Sequence, residues 1–476
     1  MDRKKVDSEQ HRRPLFDGLN QHKKKEKVSF HVPGHKNGMN WDETWSSFQS
    51  ALSFDQTEVT GLDYLHDPEG ILKESQELLS KFYGSKKSYY LINGSTVGNL
   101  AMIMGATNKG DQVFVDRGCH QSVIHALELA ELQPVFLTPD WAEMDQAPLG
   151  VNIKNLKEAF EHYPAVKALI VTYPTYDGMV YPIEELIEYA RERKCLVLVD
   201  EAHGPHLTLG DPFPSSALDL GADVVVQSAH KMLPSLTQTA YLHIGNQSSD
   251  ALKNKIEHYL HIFQSSSPSY PLMVSLEYAR YFLANFTKQD LIATLKYRDL
   301  WKKQFKKAGL TIFQSDDPLK VKVSLINQSG EELAGQLEEQ GVFGEKTDGT
   351  SVLLTFPLLK KETKITELFS IHITQSVKNE VPKKMKTPLL IAPFVELDLS
   401  YERQTSSTNK QISLAEAEGK IAARNITPYP PGIPLVLKGE RIKVEQIKQI
   451  NHYLDQNMRV TGLENQKEVV FFSEND

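Results

Sequence analysis

Residues 195–204, CLVLVDEAHG, and residues 223–231, DVVVQSAHK, decide the fold. Each opens as a short, continuous apolar run rich in β-branched side chains and closes on polar groups, which predicts a strand buried on both faces that delivers chemistry at its carboxyl end. Five further runs have the same character: Tyr89–Ile92, Gln112–Val115, Val135–Leu137, Lys167–Thr172 and Ala240–Ile244. Segments of helical spacing separate them. One example precedes the first strand, where Ile71, Leu72, Leu78, Leu79, Phe82 and Tyr83 fall on one face and Gly84 supplies a stop. The pattern predicts an α/β protein with a mostly parallel seven-stranded sheet and helices on both faces.

Downstream of Ile244 the sequence reads as helix from about 250 to 300. Short strands follow at Leu310–Phe313, Lys320–Ile326 and Ser351–Phe356, with a helix around Glu331–Gln340. Pro382–Thr387 has the make-up of a linker, a helix is expected near Ser413–Ala423, and Pro428–Pro434 forms a proline-rich loop. The expected organisation is an N-terminal arm and interface segment (1–66), a large α/β domain (67–300), a small α+β domain (301–380) and a C-terminal domain (381–476).

Composition narrows the function. The chain has 476 residues, 40% hydrophobic and 24% charged, with a formal net charge of −8. That is ordinary globular composition. The acidic balance disfavours a nucleic-acid binder, which needs clustered excess cation. No apolar run approaches the roughly 20 residues of a membrane span, and no secretory signal is read at the charged start. Two cysteines, Cys119 and Cys195, build neither a disulfide framework nor a cysteine zinc site. A cytoplasmic protein with no metal site, no membrane and no nucleic-acid partner is expected.

Ligands of open parallel sheets bind beyond the strand carboxyl ends. After the first strand comes Asn93-Gly94-Ser95-Thr96 at a helix start, where free backbone N–H groups and hydroxyls suit a phosphate, or form an ordinary N-cap. After the second comes Cys119-His120; after the fifth, Asp200-Glu201-Ala202-His203; after the sixth, Ser228-Ala229-His230-Lys231. A lysine at a buried strand end can lose its charge and form a Schiff base with an aldehyde. A phosphate cradle, a strand-end aspartate for a ring nitrogen and a strand-end lysine together indicate pyridoxal 5'-phosphate. Neither a nucleotide-binding P-loop nor a dinucleotide glycine fingerprint is present.

These motifs, with Phe30–Lys36, Thr60–Asp63, Leu65-His66, His125–Leu127, Gln238 and Pro428–Pro434, resemble the bacterial ornithine/lysine/arginine decarboxylase family. The likeness runs from about residue 14 to 460. It implies the aminotransferase-like fold (fold type I of pyridoxal-phosphate enzymes) in a short form without the receiver-like N-terminal domain of large members. Carried over by motif, it makes Lys231 the Schiff-base lysine and Asp200 the partner of the pyridine nitrogen. Gly94, Ser95, Thr96, Ser228 and His230 would surround the phosphate. His120 would stack on one ring face, Ala202 would lie on the other, and His203 would be a further cofactor contact. The implied catalytic set is Lys231, His230, Asp200 and His120. Three positions depart from the family pattern: Gln121 replaces a common lysine, Gly118 a common asparagine, and Arg424 an acidic residue of short members.

The implied reaction is decarboxylation of a basic amino acid (arginine, lysine or ornithine) to its amine and CO2. Another fold type I reaction, such as transamination or elimination, stays open, as does an idle cofactor-binding regulator. A homodimer or larger homo-oligomer is expected, because Phe30–Lys36 and Thr60–His66 carry functional side chains on glycine-containing loops ahead of the sheet.

Overall fold

The computed structural model describes residues 8–26, 28–141, 148–365, 369–374, 392–429, 432–455 and 458–473. The expected linker at Pro382–Thr387 and the loop prolines 430 and 431 lie outside the described residues. All seven expected strands are present: β1 (Lys87–Leu91), β2 (Gln112–Asp116), β3 (Gln133–Leu137), β4 (Ala168–Thr172), β5 (Leu196–Asp200), β6 (Val224–Gln227) and β7 (Ala240–Ile244). Two compact units contain them, Met1–Ala106 with Val197–Thr287 and Thr107–Leu196 with Lys288–Asp476. Among the described residues no helix is long and apolar enough to cross a membrane.

In the first unit the strand order is β1-β7-β6-β5. β5 and β6 pair in parallel, whereas β7 runs antiparallel to both β6 and β1. The residues of β6 and β7 are buried throughout, as continuous apolar runs require. Helices α1 (Pro14–Lys25), α2 (Ile71–Tyr83) and α3 (Gly94–Ala106) belong to this unit. α2 ends as its sequence predicts, with Gly84 in the left-handed region at φ +69°. α3 lies close against the strands, because a Cβ on Gly98 would come 2.7 Å from side-chain carbons of Leu91 and Val226. Gly98→Ala is therefore expected to lower stability by about 1–3 kcal/mol through overpacking. Urea denaturation checks this, and an unchanged midpoint would show that the strands have room to yield.

The N-terminal arm is fastened by buried polar groups. Glu277 accepts the backbone N–H groups of Leu15 and Phe16 at 3.0 and 2.8 Å, at the start of α1, where no intrahelical partner exists. Arg280 donates to the carbonyls of Gln10 and Arg12. Asp63 acts in a similar way. Its carboxylate accepts from the N–H groups of Glu69, Gly70 and Leu72 at 2.7–3.0 Å and caps α2. This aspartate, in the expected interface segment, is thus hydrogen-bonded within its own chain.

The second unit holds β4-β2-β3 in parallel register. Helix α4 (Gln121–Leu129) follows β2 in the chain. An eighth strand, β8 (Phe394–Glu396), adds antiparallel to β3. Three residues carry no readable periodicity, so the sequence reading of seven strands misses it. The expected strands beyond residue 310 form a small antiparallel sheet. The helix expected near Ser413–Ala423 is a correction. Thr408–Ser413 and Ile421–Ala422 instead pair with Glu468–Ser473, and only Leu414–Glu416 forms a single 3-10 turn. Pairing with a distant strand overrides the helix-forming residues between them.

Candidate active site

Each candidate group of the first unit stands at a strand end or helix start. Gly94 adopts φ +76°, a left-handed conformation that glycine takes without steric cost. Its N–H donates to the Gln238 carbonyl at 2.8 Å. Ser95 and Thr96 occupy the first turn of α3, and Ser228, fully buried after β6, donates its hydroxyl to Ser95 Oγ at 2.8 Å. Hydroxyls from two elements thus meet at a helix N-terminus, whose free N–H groups and positive end favour an anion.

Asp200 closes β5 and is 2% exposed. Its Oδ2 accepts from Asn99 Nδ2 at 2.8 Å and its Oδ1 from the Ala202 N–H at 3.2 Å. Both donors fix the carboxylate's orientation. Lys231 Nζ lies 3.1 Å from Nε2 of the buried His203, so the two groups share a hydrogen bond. The His230 ring pairs its Nδ1 with the Thr239 carbonyl at 2.9 Å. A carbonyl only accepts, so Nδ1 carries the proton and Nε2 of the neutral ring is left as the acceptor. Ala202 is buried.

Behind Asp200 runs a buried polar chain. Glu201 accepts from Gln227 Nε2 at 2.5 Å, Ser216 Oγ at 2.8 Å and Ala217 N at 2.7 Å. Burial pushes its carboxyl up to about 8, against the pull of those donors. Gln227 Oε1 then meets His243 Nε2 at 3.1 Å, and Ser88 Oγ meets His243 Nδ1 at 2.7 Å. Burial holds the His243 imidazole down to about 3. His243 is therefore neutral when folded but titrates near 6.5 when unfolded. Its stabilising contribution is complete above pH 6.5 and is lost as pH falls toward 3, at up to about 1.4 kcal/mol per pH unit. The stability gap between the wild type and His243→Gln is expected to shrink on acidification from pH 7 to 4. Thermal unfolding across that range tests this; a constant gap would contradict it.

In the second unit His120 caps α4, its Nδ1 accepting from Ser122 N at 3.2 Å and lying 2.8 Å from Ser122 Oγ. The residue is exposed. The loops after β2 and β4 carry buried ion pairs. Arg117, buried, forms an ion pair with Glu440 at 2.7 Å and donates to the carbonyls of Pro434 and Leu435. Asp177, also buried, is gripped by Lys322 and Lys346 at 2.9 and 2.7 Å. Asp116 at the end of β2 is raised to about 6 by burial. Arg424, one of the departures from the family pattern, pairs with Glu464 at 2.5 Å.

The structure brings Ser95 to Ser228, and Lys231 to His203, as strand-end neighbours. It adds Asn99, which sequence reading missed. The available signal was one polar residue in the otherwise apolar turn Val97–Met102, five residues after Gly94. The donor set fits pyridoxal 5'-phosphate: an anion cradle, a buried carboxylate for a protonated ring nitrogen and an amine for an aldehyde.

Comparisons with known proteins bear on this set. The profile described as "Orn/Lys/Arg decarboxylase, major domain" matches residues 13–324, and that described as "Orn/Lys/Arg decarboxylase, C-terminal domain" matches residues 380–463. The chain is 39% identical over 467 residues to the uncharacterized protein YaaO of Bacillus subtilis, covering 94% of this chain and 96% of that protein. It is 30% identical over 473 residues to an arginine decarboxylase of Bacillus subtilis, covering 96% of each. Among solved structures, the lysine decarboxylase LdcF of Francisella novicida superposes with a TM-score of 0.79 at 20% identity, over 97% of this chain and 81% of that one. That likeness shows the fold, an α/β architecture with a mostly parallel central sheet and small antiparallel C-terminal sheets.

Proposed function

The chain belongs to the Orn/Lys/Arg decarboxylase family, and from that premise we propose that it removes the α-carboxylate of a basic amino acid as CO2, with pyridoxal 5'-phosphate as cofactor. The observation that carries the reading is Asp200, a buried carboxylate oriented by Asn99 and Ala202 beside a strand end that presents Lys231. When bound, the cofactor supplies an electron sink for the carbon that loses its carboxylate. Asp200 would hold the proton on the ring nitrogen; Ser95, Thr96 and Ser228 would bind the phosphate. Lys231 would hold the cofactor in the resting enzyme and, with His203 within hydrogen-bond reach, has a partner for moving a proton at Nζ. His230 Nε2 is a second proton-accepting atom.

The test is product identification. Purified protein supplied with the cofactor is incubated separately with arginine, lysine and ornithine. The expected product is an amine from at least one of them. A keto acid would assign transamination, and no conversion of any of the three would remove the enzyme reading.

We also propose a homodimer built on the N-terminal segment. Phe30 and Met39 are 91% and 81% exposed, and Val28, Val32, Trp45 and Phe48 are exposed beside them in the sequence. So many apolar side chains left to water in one segment favour a covering partner. Sedimentation at sub-micromolar concentration is expected to give a dimer or larger species, and Phe30→Asp with Trp45→Asp is expected to release monomer. A wild-type monomer would refute the proposal.

A further inference from the structure

The N-terminal arm carries a second constellation of chemistry-bearing groups. His22 lies in the last turn of α1, Glu26 is its C-cap, and His31 follows in the next loop. His31 Nε2 stands 2.9 Å from Glu26 Oε1, and His22 Nε2 stands 3.5 Å from Glu26 Oε2. The three side chains are mostly enclosed, at 27%, 16% and 10% exposure for His31, His22 and Glu26.

The tautomers make this arrangement unbalanced. His31 Nδ1 lies 2.6 Å from the Val32 carbonyl and must donate to it. In a neutral ring Nε2 is then a lone pair facing a carboxylate oxygen, acceptor against acceptor. A proton on His31 would relieve that one contact. His22 Nε2, which is buried and makes no hydrogen bond, faces the same carboxylate from 3.5 Å. A single cation between the three groups satisfies all of them.

The surroundings suit such a cation. A metal-bound imidazole commonly donates its other N–H to a backbone carbonyl, and a ligating carboxylate is itself hydrogen-bonded. His31 has the first feature. Glu26 has the second: Asn37 Nδ2 donates to its Oε2 at 3.2 Å, and Asn37 is held in turn by Gln56 at 2.6 Å. Asn37 reaches this position through a left-handed backbone at φ +58°, next to Lys36 at φ +49°. Two non-glycine residues in that region cost energy that some interaction must offset.

We propose that His22, Glu26 and His31 bind a divalent transition-metal ion, of which Zn²⁺ best suits two imidazoles and one carboxylate. The candidate ligand atoms lie within 4.8 Å of one another, against about 3.3 Å between neighbours around tetrahedral zinc. Small inward rotations of the side chains close that difference. The ion would clip α1 to the loop of residues 31–37.

The test uses the untagged full-length chain, stripped with a chelator and dialysed against Zn²⁺ or Co²⁺. About one ion per chain is expected, with a visible absorption band for the Co²⁺ form. His22→Gln and His31→Gln are each expected to weaken binding at least tenfold and to erase the band. Asn37→Ala keeps all three ligands and is expected to weaken binding about tenfold through the lost support. His35→Gln, whose ring pairs with Asp55 instead, is expected to bind as the wild type does. Far-UV circular dichroism checks that each variant is folded. Binding well below one ion per chain, or equal binding by the wild type and both histidine variants, would overturn the proposal. None of these readouts depends on turnover.

Discussion

Lys231→Ala is expected to reduce turnover by about a thousandfold or more, the scale seen when a covalent catalytic group is removed. It is also expected to abolish the covalent attachment of pyridoxal phosphate. The lysine follows the buried end of β6, one residue after His230 and 3.1 Å from His203. No other lysine has that placement on the candidate strand ends. Its side chain is part-buried, and alanine removes it without adding bulk, so the first unit is expected to stay folded. Borohydride reduction of the wild-type holoenzyme followed by peptide mapping reads the attachment directly. Label on the peptide containing Lys231 supports the assignment; label on another lysine contradicts it.

The second large effect is expected at Asp200. Asp200→Asn keeps the size of the side chain and leaves an oxygen for the Ala202 N–H or Asn99, so cofactor affinity is expected to persist. Turnover is expected to fall a hundredfold or more, roughly the effect of removing one charge-assisted partner worth a few kcal/mol. The loss follows from charge: an amide cannot hold a proton on the ring nitrogen as a carboxylate does. A split between retained binding and lost turnover is the signature. Asn99→Ala provides the graded comparison, since it frees one oxygen of Asp200 and leaves the charge. Near wild-type turnover in Asp200→Asn would assign the residue to structure.

These two residues were legible because their strands are. Runs such as Val224–Val226 are too short for a helix and too apolar for a loop, and whatever follows them must emerge at the sheet's carboxyl edge. The same logic placed Ser95 and Thr96 at a helix start. It failed where partners come from distant chain. Asn99 meets Asp200 across 101 residues, and His203 meets Lys231 across 28; neither contact leaves a periodic trace. Asp63 reads as a loop carboxylate with chemistry to offer, yet it caps α2 a few residues downstream. The sequence 413–423 reads as helix from its alanine and glutamate residues, but pairing with Glu468–Ser473 decides otherwise. Local propensity loses where a remote strand supplies hydrogen bonds.

The reading as a basic amino-acid decarboxylase meets its most direct test in the fate of the carboxyl carbon. Arginine, lysine and ornithine labelled at that carbon are supplied in turn to the holoenzyme, and released CO2 and amine are quantified together. The predicted result is labelled CO2 and amine in equal amounts from at least one of the three, with neither from Lys231→Ala. Retention of the label in a keto acid, or no labelled CO2 from any of the three, would contradict it.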